Sequence, residues 1–321
     1  MQASTQGYVP VSGFLQNTLA NMPEFHRPEM PTFTLHEYPD LIDSSDMNPG
    51  HWQQIALDIQ KNYAHYDGFI ILHGTDTMAY TASALSFMLE NLQKPVIVTG
   101  SQIPLAELRS DGQTNLLNAL YIAANFPVPE VSLFFNNKLL RGNRSRKLDA
   151  DGFEAFSSPN FPPLLVAGIN IELVGGKIDA KSTLTPLVVA PISPQPIGVI
   201  TLYPGIVSEV LKNSLQQPVN AMILLSYGVG NAPQTPTMLA QLQSAYDNNI
   251  VIVNCTQCTR GKVNMNGYAT GHALQDVGVL SGLDMTPEAT LAKLHYLLSQ
   301  NMSTNELRAK ITDNLRGELT K

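Results

Sequence analysis

Residues 67–89 read DGFIILHGTDTMAYTASALSFML, and this stretch decides how the rest of the chain is interpreted. The apolar run GFIIL is typical of a buried parallel strand, and the segment that follows Thr75 is predicted to be a helix. Thr75 and Asp76 therefore lie where a strand gives way to a helix. Either residue would make a good helix N-cap, but open α/β sheets also bind ligands at the carboxyl ends of their strands. Capping and chemistry both remain open for this pair.

Strands and helices alternate along much of the chain. A second strand (KPVIVTGS), a helix (GQTNLLNALYIAANF) and a third strand (EVSLFFNN) follow the opening stretch, which predicts a parallel sheet with right-handed crossovers. We predict a two-domain α/β protein with a larger N-terminal domain, whose mostly parallel sheet is flanked by helices, and a smaller C-terminal α/β domain. The expected boundaries are 1–185 and 196–321, with a linker in 176–196.

Three local features refine this outline. KLLRGNRSRKLDADG, residues 138–152, is predicted to be a basic, polar loop. Ser303 and Glu306 have the spacing of a capping box. The first dozen residues are polar or turn-like, so the sheet is expected to lack the strand that normally opens an α/β domain.

Composition excludes several classes of protein. The 321 residues carry a net charge of −7, with 44% apolar and 14% charged side chains, which argues against binding to a nucleic-acid backbone. No apolar run approaches the length of a membrane span, and the opening residues do not resemble a secretory signal. Two cysteines cannot form a disulfide framework, so the expected compartment is the cytoplasm.

Other polar segments offer binding groups. Asp43, Ser44 and Ser45 lie together before a predicted helix, where hydroxyl, N–H and carboxylate groups would suit the two charged ends of an amino acid; a solvated Asx-turn is the alternative. Ser101 follows the second strand in an ordinary βα loop or on the same rim as Thr75. Lys147 is either a solvated basic side chain or a general base beside a hydroxyl.

Metal and nucleotide sites are not predicted. Cys255 and Cys258 form a C-x-x-C pair, but zinc would need a second, suitably spaced ligand pair. The chain contains no H-E-x-x-H, no P-loop and no complete dinucleotide fingerprint.

Read together, several motifs resemble the bacterial L-asparaginase family, and the resemblance is closest to its cytoplasmic type I branch. The motifs are DGFIILHGTDTMAYTASALSFML, KPVIVTGSQIPL, LRSDGQTNLLNAL, FFNNKLLRGNRSRK and SYGVGNAP, and the resemblance runs from about Gln6 to Leu319. It implies hydrolysis of L-asparagine to L-aspartate and ammonia without a cofactor.

The resemblance also assigns roles to residues. Thr75, Asp76 and Lys147 match the family's catalytic threonine, its neighbouring acid and the lysine coupled to both. The residues that match substrate-binding positions are Tyr8, on a mobile loop, Asp43, Ser44, Ser45, Ser101 and Asn231.

Family members form homotetramers built from tight dimers, and Asn231 matches a residue presented to a neighbouring chain's site. Some type I members bind asparagine at a regulatory site, which by position would involve Thr256, Gln257 and Cys258. An arginine of that site corresponds to Leu225, and its loss removes a bidentate carboxylate clamp.

The family's first threonine, its nucleophile, lies in a T-G-G-T-I-G motif that this sequence does not contain, and MQASTQGY resembles the segment that follows it. We expect a misassigned start codon or omitted residues. The alternative is an amino-acid-binding homologue without catalysis. A subunit of a tRNA-dependent amidotransferase and an enzyme that prefers glutamine are further alternatives.

Overall fold

The computed structural model describes residues 2–4, 7–9, 11–177, 185–216, 218–267 and 269–321, without the side chains of residues 2–4, 7–9, 269 and 270. The chain forms two compact units, Met1–Val189 and Ala190–Lys321. In the described part of the chain, no helix combines the length and apolar character needed to cross a membrane.

The first unit is built around a six-stranded sheet. The described strands of the first unit are β1 (Gln2–Ser4), β2 (Gly7–Val9), β3 (Phe69–Leu72), β4 (Leu89–Glu90), β5 (Val96–Thr99), β6 (Val131–Phe135), β7 (Lys138–Arg141), β8 (Arg146–Lys147), β9 (Phe156–Ser157), β10 (Leu165–Ala167), β11 (Ile171–Leu173) and β12 (Val188–Val189). Its described helices are α1 (Phe14–Ala20), α2 (Pro49–Asn62), α3 (Met78–Met88) and α4 (Gly112–Asn125), and short 3-10 turns cover Pro23–His26, Ser44–Asp46 and Gly142–Arg144.

The large sheet has the strand order β11-β10-β7-β6-β5-β3. β3, β5 and β6 pair in parallel, as predicted, whereas β7, β10 and β11 pair antiparallel. α4 packs against the sheet where Ile97, Ile122 and Phe134 share a buried cluster, and α3 packs against β6. The predicted fold class is confirmed, with an antiparallel half joined to the parallel one.

The prediction that residues 138–152 form a loop is wrong, because β7 and β8 lie within them. Asn136 and Asn137 join β6 to β7 with φ values of 44° and 63°, the left-handed conformation of a two-residue hairpin turn that asparagine tolerates. Arg141 donates two hydrogen bonds to Glu130, at 2.6 and 2.9 Å. Basic side chains in this segment therefore accompany an antiparallel strand rather than a solvated loop.

The second unit is a parallel α/β structure. Its described strands are β13 (Ile197–Thr201), β14 (Ala221–Ser226), β15 (Val251–Thr256) and β16 (Leu280–Ser281), paired in parallel in that order. Its described helices are α5 (Ser208–Leu215), α6 (Pro236–Asp247), α7 (Ala269–Asp276), α8 (Pro287–Leu298) and α9 (Thr304–Ile311). Leu211, Leu242 and Leu274 cover one side of the sheet, and Leu294 and Leu307 belong to a separate cluster with β14 and β15.

Two sets of polar interactions lie in the C-terminal part of the second unit. Ser303 and Glu306 form the predicted capping box at the start of α9. Lys293 Nζ lies 2.6 Å from Glu318 Oε1, and both side chains are fully buried. The same ammonium donates to the carbonyl oxygens of Ile311 and Asp313, at 2.9 and 2.5 Å. Burial lowers the pKa of Lys293, and the carboxylate of Glu318, followed by the charge of Asp313, opposes that effect.

Candidate active site

The turn between β3 and α3 shows whether Thr75 or Asp76 is the N-cap of α3. α3 begins at Met78, and its N-cap is Thr77, whose side chain makes no capping hydrogen bond. Thr77 Oγ1 instead donates to the carbonyl oxygen of Ser44 at 2.6 Å. The helix therefore starts after the Thr-Asp pair, and neither Thr75 nor Asp76 is its N-cap.

Lys147 joins the two residues of the pair. Its Nζ donates to Thr75 Oγ1 at 2.8 Å and to Asp76 Oδ1 at 3.0 Å. β8 holds the lysine in place by pairing it with Phe156 of β9, and its side chain is only 20% exposed against 68% for Asp76. An ammonium that donates to a hydroxyl oxygen stabilises negative charge on that oxygen and leaves the hydroxyl proton for another partner.

The segment Asp43–Ser45 lies against this turn. Asp43 Oδ1 accepts hydrogen bonds from the N–H and the hydroxyl of Ser45, at 2.9 and 2.8 Å. The bond from the Ser45 backbone, followed by the one from its side chain, lowers the pKa of Asp43, so this carboxyl is charged at neutral pH. A Cβ at Gly74 would overlap Ser44 Oγ, so only glycine allows Ser44 to approach the residue before Thr75 this closely.

Ser101 lies two residues after the last residue of β5, which neighbours β3. The ends of these strands approach closely, since a Cβ at Gly100 would overlap the carbonyl oxygen of His73. A Cβ at Gly112, the first residue of α4, would lie 3.1 Å from Ser101 Cβ. Ser101 therefore follows the strand next to the one that leads into Thr75, as the sequence predicted.

A buried chain of hydrogen bonds under the turn was not predicted. Trp52 Nε1 donates to Thr81 Oγ1 at 3.0 Å, and Thr81 Oγ1 lies 2.8 Å from His73 Nε2. His73 Nδ1 lies 2.6 Å from the carbonyl oxygen of Gly74. A carbonyl can only accept, so Nδ1 carries the proton and Nε2 accepts from the Thr81 hydroxyl. Burial lowers the pKa of His73, which agrees with this neutral form.

The sequence carried a weak signal for this chain. Thr81 is a polar residue on a helix whose other described positions are mostly apolar and buried, and such a residue needs a partner when it is buried. The partner Trp52 is 29 residues away, so pattern alone did not connect the two.

Three further predicted positions, Asn231, Thr256 and Gln257, belong to the second unit. Asn231 pairs its N–H and C=O with Tyr227, both at 2.9 Å. Thr256 Oγ1 donates to the carbonyl of Gly228 at 2.5 Å, and Gln257 Nε2 donates to the carbonyl of Leu225 at 2.8 Å.

Cys258 and Tyr8 are the last two residues that the sequence predicted as site residues. Cys258 is an exposed free thiol beside this segment. Tyr8 lies in β2, with a side chain outside the described part of the structure.

The described residues bring no three His, Cys, Asp or Glu side chains together in a way that would hold a metal ion. Cys255 is a buried thiol, with its sulfur 3.3 Å from Thr290 Oγ1.

Comparison with known proteins covers nearly the whole chain. Residues 1–178 match the family described as Asparaginase, N-terminal, and residues 196–310 match the Glutaminase/Asparaginase C-terminal domain. The L-asparaginase 1 of Escherichia coli (strain K12) is 67% identical over 320 residues, which are 100% of this chain and 94% of that protein.

Two solved structures have the same fold. The crystal structure of L-asparaginase I from Vibrio cholerae superposes with a TM-score of 0.94 at 69% identity, covering 98% of this chain and 94% of that one. The thermostable L-asparaginase from Thermococcus kodakarensis has a TM-score of 0.89 at 31% identity, covering 100% and 95% of the two chains.

Proposed function

The chain belongs to the asparaginase family, and we propose on this basis that it hydrolyses the side-chain amide of L-asparagine to give L-aspartate and ammonia. The observation that carries the proposal is the contact of Lys147 Nζ with both Thr75 and Asp76, at 2.8 and 3.0 Å. The extent and identity of the matches favour this hydrolase over a homologue that only binds amino acids.

We assign proton transfer to Thr75. In the hydrolysis the amide C–N bond breaks, and water supplies a hydroxyl to the new carboxyl group and a proton to the departing ammonia. A threonine hydroxyl is a poor acid or base by itself and needs a positioned partner. The Lys147 ammonium supplies that partner by stabilising the Thr75 oxygen when it gives up its proton, and Asp76 holds the lysine in place.

Asp43, Ser44, Ser45 and Ser101 complete the proposed substrate site. Both Ser45 hydrogen bonds fall on Oδ1 of Asp43, which leaves Oδ2 for the α-ammonium group of the substrate. Ser101 is assigned to the reacting amide. Tyr8 is proposed to close over the bound amino acid, which would exclude water from the reaction.

Ammonia release tests the assignment. Thr75→Val keeps the shape of the side chain and removes its hydroxyl, and Lys147→Met removes the ammonium, so each is expected to lower kcat by roughly 100-fold or more. Thr114, which is exposed, and Lys138, whose side chain is 37% exposed, provide the matched controls Thr114→Val and Lys138→Met, which should keep wild-type rates. Full turnover by Thr75→Val would refute the role of its hydroxyl.

Substrate choice is tested with both amides. One methylene of substrate length changes binding by only about 1–3 kcal/mol in a pocket. We expect the larger kcat/KM for L-asparagine, and a larger value for L-glutamine would reverse the assigned preference.

Assembly and compartment are proposed with the activity. We propose a homotetramer made of two dimers, in which residues 196–321 present Asn231 to a neighbour's site, while residues 1–185 hold the catalytic groups. Light scattering should give a mass four times that of the 35.0 kDa chain. A cytoplasmic location is supported by the two cysteines, which are not joined in a disulfide, and fractionation of cells would test it.

The segment from Thr256 to Cys258 is proposed as an effector site for asparagine. Leu225 offers no guanidinium for the effector's carboxylate, so we expect weak regulation and a nearly hyperbolic dependence of rate on asparagine concentration. A strongly sigmoidal curve that a Thr256 substitution abolishes would show that the segment regulates without an arginine at position 225.

A further inference from the structure

The start of α4 holds the loop that carries Ser101. Asp111 Oδ1 accepts hydrogen bonds from the backbone N–H groups of Gln102 and Ile103, at 3.0 and 3.1 Å. Asp111 is the N-cap residue of α4, yet its side chain makes no capping hydrogen bond to the helix. An aspartate at this position normally accepts from the helix's own first N–H groups, so here its acceptor capacity serves the neighbouring loop.

Asn115, one helical turn further along α4, forms a hydrogen bond with the same loop at a second point. Its side chain is 2% exposed, and its Nδ2 donates to the carbonyl of Gly100 at 2.9 Å and to Asp111 Oδ2 at 3.1 Å. Its Oδ1 accepts from the N–H of Asn136 at 3.2 Å. One buried amide therefore sets Gly100, the start of α4 and the β6–β7 turn in a fixed relation.

Gln102 extends this arrangement toward Lys147. Its Nε2 donates to the carbonyl of Gly152 at 3.1 Å. Gly152 lies in a turn closed by Asp149, whose Oδ1 accepts from the N–H of Gly152 at 3.0 Å. This turn follows Lys147 by two residues, so the loop after β5 and the lysine's own segment are tied to each other.

We propose that Asp111 and Asn115 are positioning residues for the hydrolysis, which hold Ser101 at the substrate amide and, through Gln102, steady the segment that carries Lys147. This inference rests on the proposed function. A displacement of about 1 Å at a reacting group can lower a rate by roughly 100-fold. Neither side chain touches the substrate, and both act through the backbone of residues 100–103.

Four variants test the proposal. Asp111→Asn replaces a carboxylate oxygen with an N–H donor that faces other donors, and Asn115→Asp replaces the donor to Gly100 while it keeps the acceptor for Asn136. Asp276→Asn and Asn213→Asp make the same changes at exposed helix positions. We expect kcat to fall roughly 10- to 100-fold in the first two variants, with KM changed less than about 3-fold, because the displaced groups act on the reacting amide. The exposed controls should stay within about 2-fold of wild type.

Amide hydrogen exchange supplies a readout that does not depend on activity. In Asp111→Asn, the amides of Gln102 and Ile103 should exchange at least about 10-fold faster, because the oxygen that remains is an uncharged and weaker acceptor and the new NH2 group faces the donors Gln102 N–H and Asn115 Nδ2. Should a variant fail to fold, Gln102→Met cuts only the side-chain link to Gly152 and should lower kcat by about 3- to 10-fold while the Gln102 and Ile103 amides stay protected.

The outcomes separate the two proposals. Unchanged exchange in Asp111→Asn, or faster exchange with a wild-type kcat, would overturn the positioning role. A rise in KM with an unchanged kcat would also overturn the positioning role, because the substitution would then weaken ground-state binding of the substrate and not the reaction step. A wild-type protein that releases no ammonia would refute the hydrolase function itself, whatever the exchange data show.

Discussion

Replacement of Thr81 with valine removes one hydroxyl from the buried chain that links Trp52 to His73. Thr81 is fully buried, and Trp52 and His73 are 4% and 9% exposed. Valine has nearly the same shape, so the packing of α3 should change little. The indole N–H of Trp52 and Nε2 of His73 then lose their shared partner, at 3.0 and 2.8 Å in the native protein.

The expected cost follows from the two lost hydrogen bonds. A buried acceptor that loses its partner, here Nε2 of His73, costs about 1–3 kcal/mol, and the lost hydrogen bond from Trp52 adds about 0.5–1.5 kcal/mol, so Thr81→Val should lower the free energy of unfolding by about 1.5–4.5 kcal/mol. Thr81→Ser keeps the hydroxyl and loses one methyl group, which costs about 1 kcal/mol. The two variants should therefore differ clearly, in the order wild type, serine, valine.

Urea denaturation followed by tryptophan fluorescence measures this difference. The chain has one tryptophan, Trp52, and it lies in α2 of the first unit, so the signal reports on that unit alone. The exposed residue Thr114 provides a control variant, Thr114→Val, which should unfold within about 0.5 kcal/mol of wild type. If Thr81→Val is as stable as Thr81→Ser, the hydroxyl is not a required link and the chain of hydrogen bonds is wrong.

Three other predictions concern pH, steric fit and capping. Burial lowers the pKa of folded His73 below its ordinary 6.5, so the unfolded chain binds a proton first as pH falls. The first unit should therefore lose stability below about pH 6.5 and not above it. Urea titrations should show that His73→Gln removes this pH dependence of stability, while the exposed control His65→Gln retains it. Gly74→Ala would push a Cβ into Ser44, only 2.8 Å from its Cβ, so it should destabilise the first unit by about 1–3 kcal/mol and impair ammonia release, whereas Gly168→Ala should be tolerated. Ser303→Ala removes the acceptor for the Glu306 N–H and should cost the second unit about 1 kcal/mol, measured by calorimetry; an unchanged transition would show that α9 does not limit its stability.

The sequence predicted those elements whose apolar pattern is strong. β3, β5 and β6 are short apolar runs separated by helices, and burial on both faces of a parallel sheet produces such runs. The capping box of Ser303 was legible because both partners lie within one helical turn. β7 was missed because it is only four residues long and charged residues flank its two leucines. A polar–apolar pattern of that length does not distinguish a strand from a loop.

The site required more than local pattern. Thr75 and Lys147 are 72 residues apart, and only the fold, or a resemblance to a known family, brings them together. Local sequence allowed the Thr-Asp pair to cap α3, but the helix begins beyond it because the chain first turns back toward Ser44. The positioning role proposed for Asp111 was equally hidden, since an aspartate before a helix is expected to serve that helix.

The buried contact between Lys293 and Glu318 has a practical consequence for anyone who handles the protein. Proteolysis after Gly317 would separate Glu318 from Lys293 and leave an ammonium buried without its carboxylate, which costs about 3–5 kcal/mol. Leu319 is 1% exposed, and the N–H of Thr320 donates to Asp284 at 2.7 Å, so the residues next to Glu318 are anchored as well. An affinity tag attached after Lys321 therefore needs a flexible spacer, and a preparation trimmed at this end should be expected to melt early even though its catalytic groups are intact.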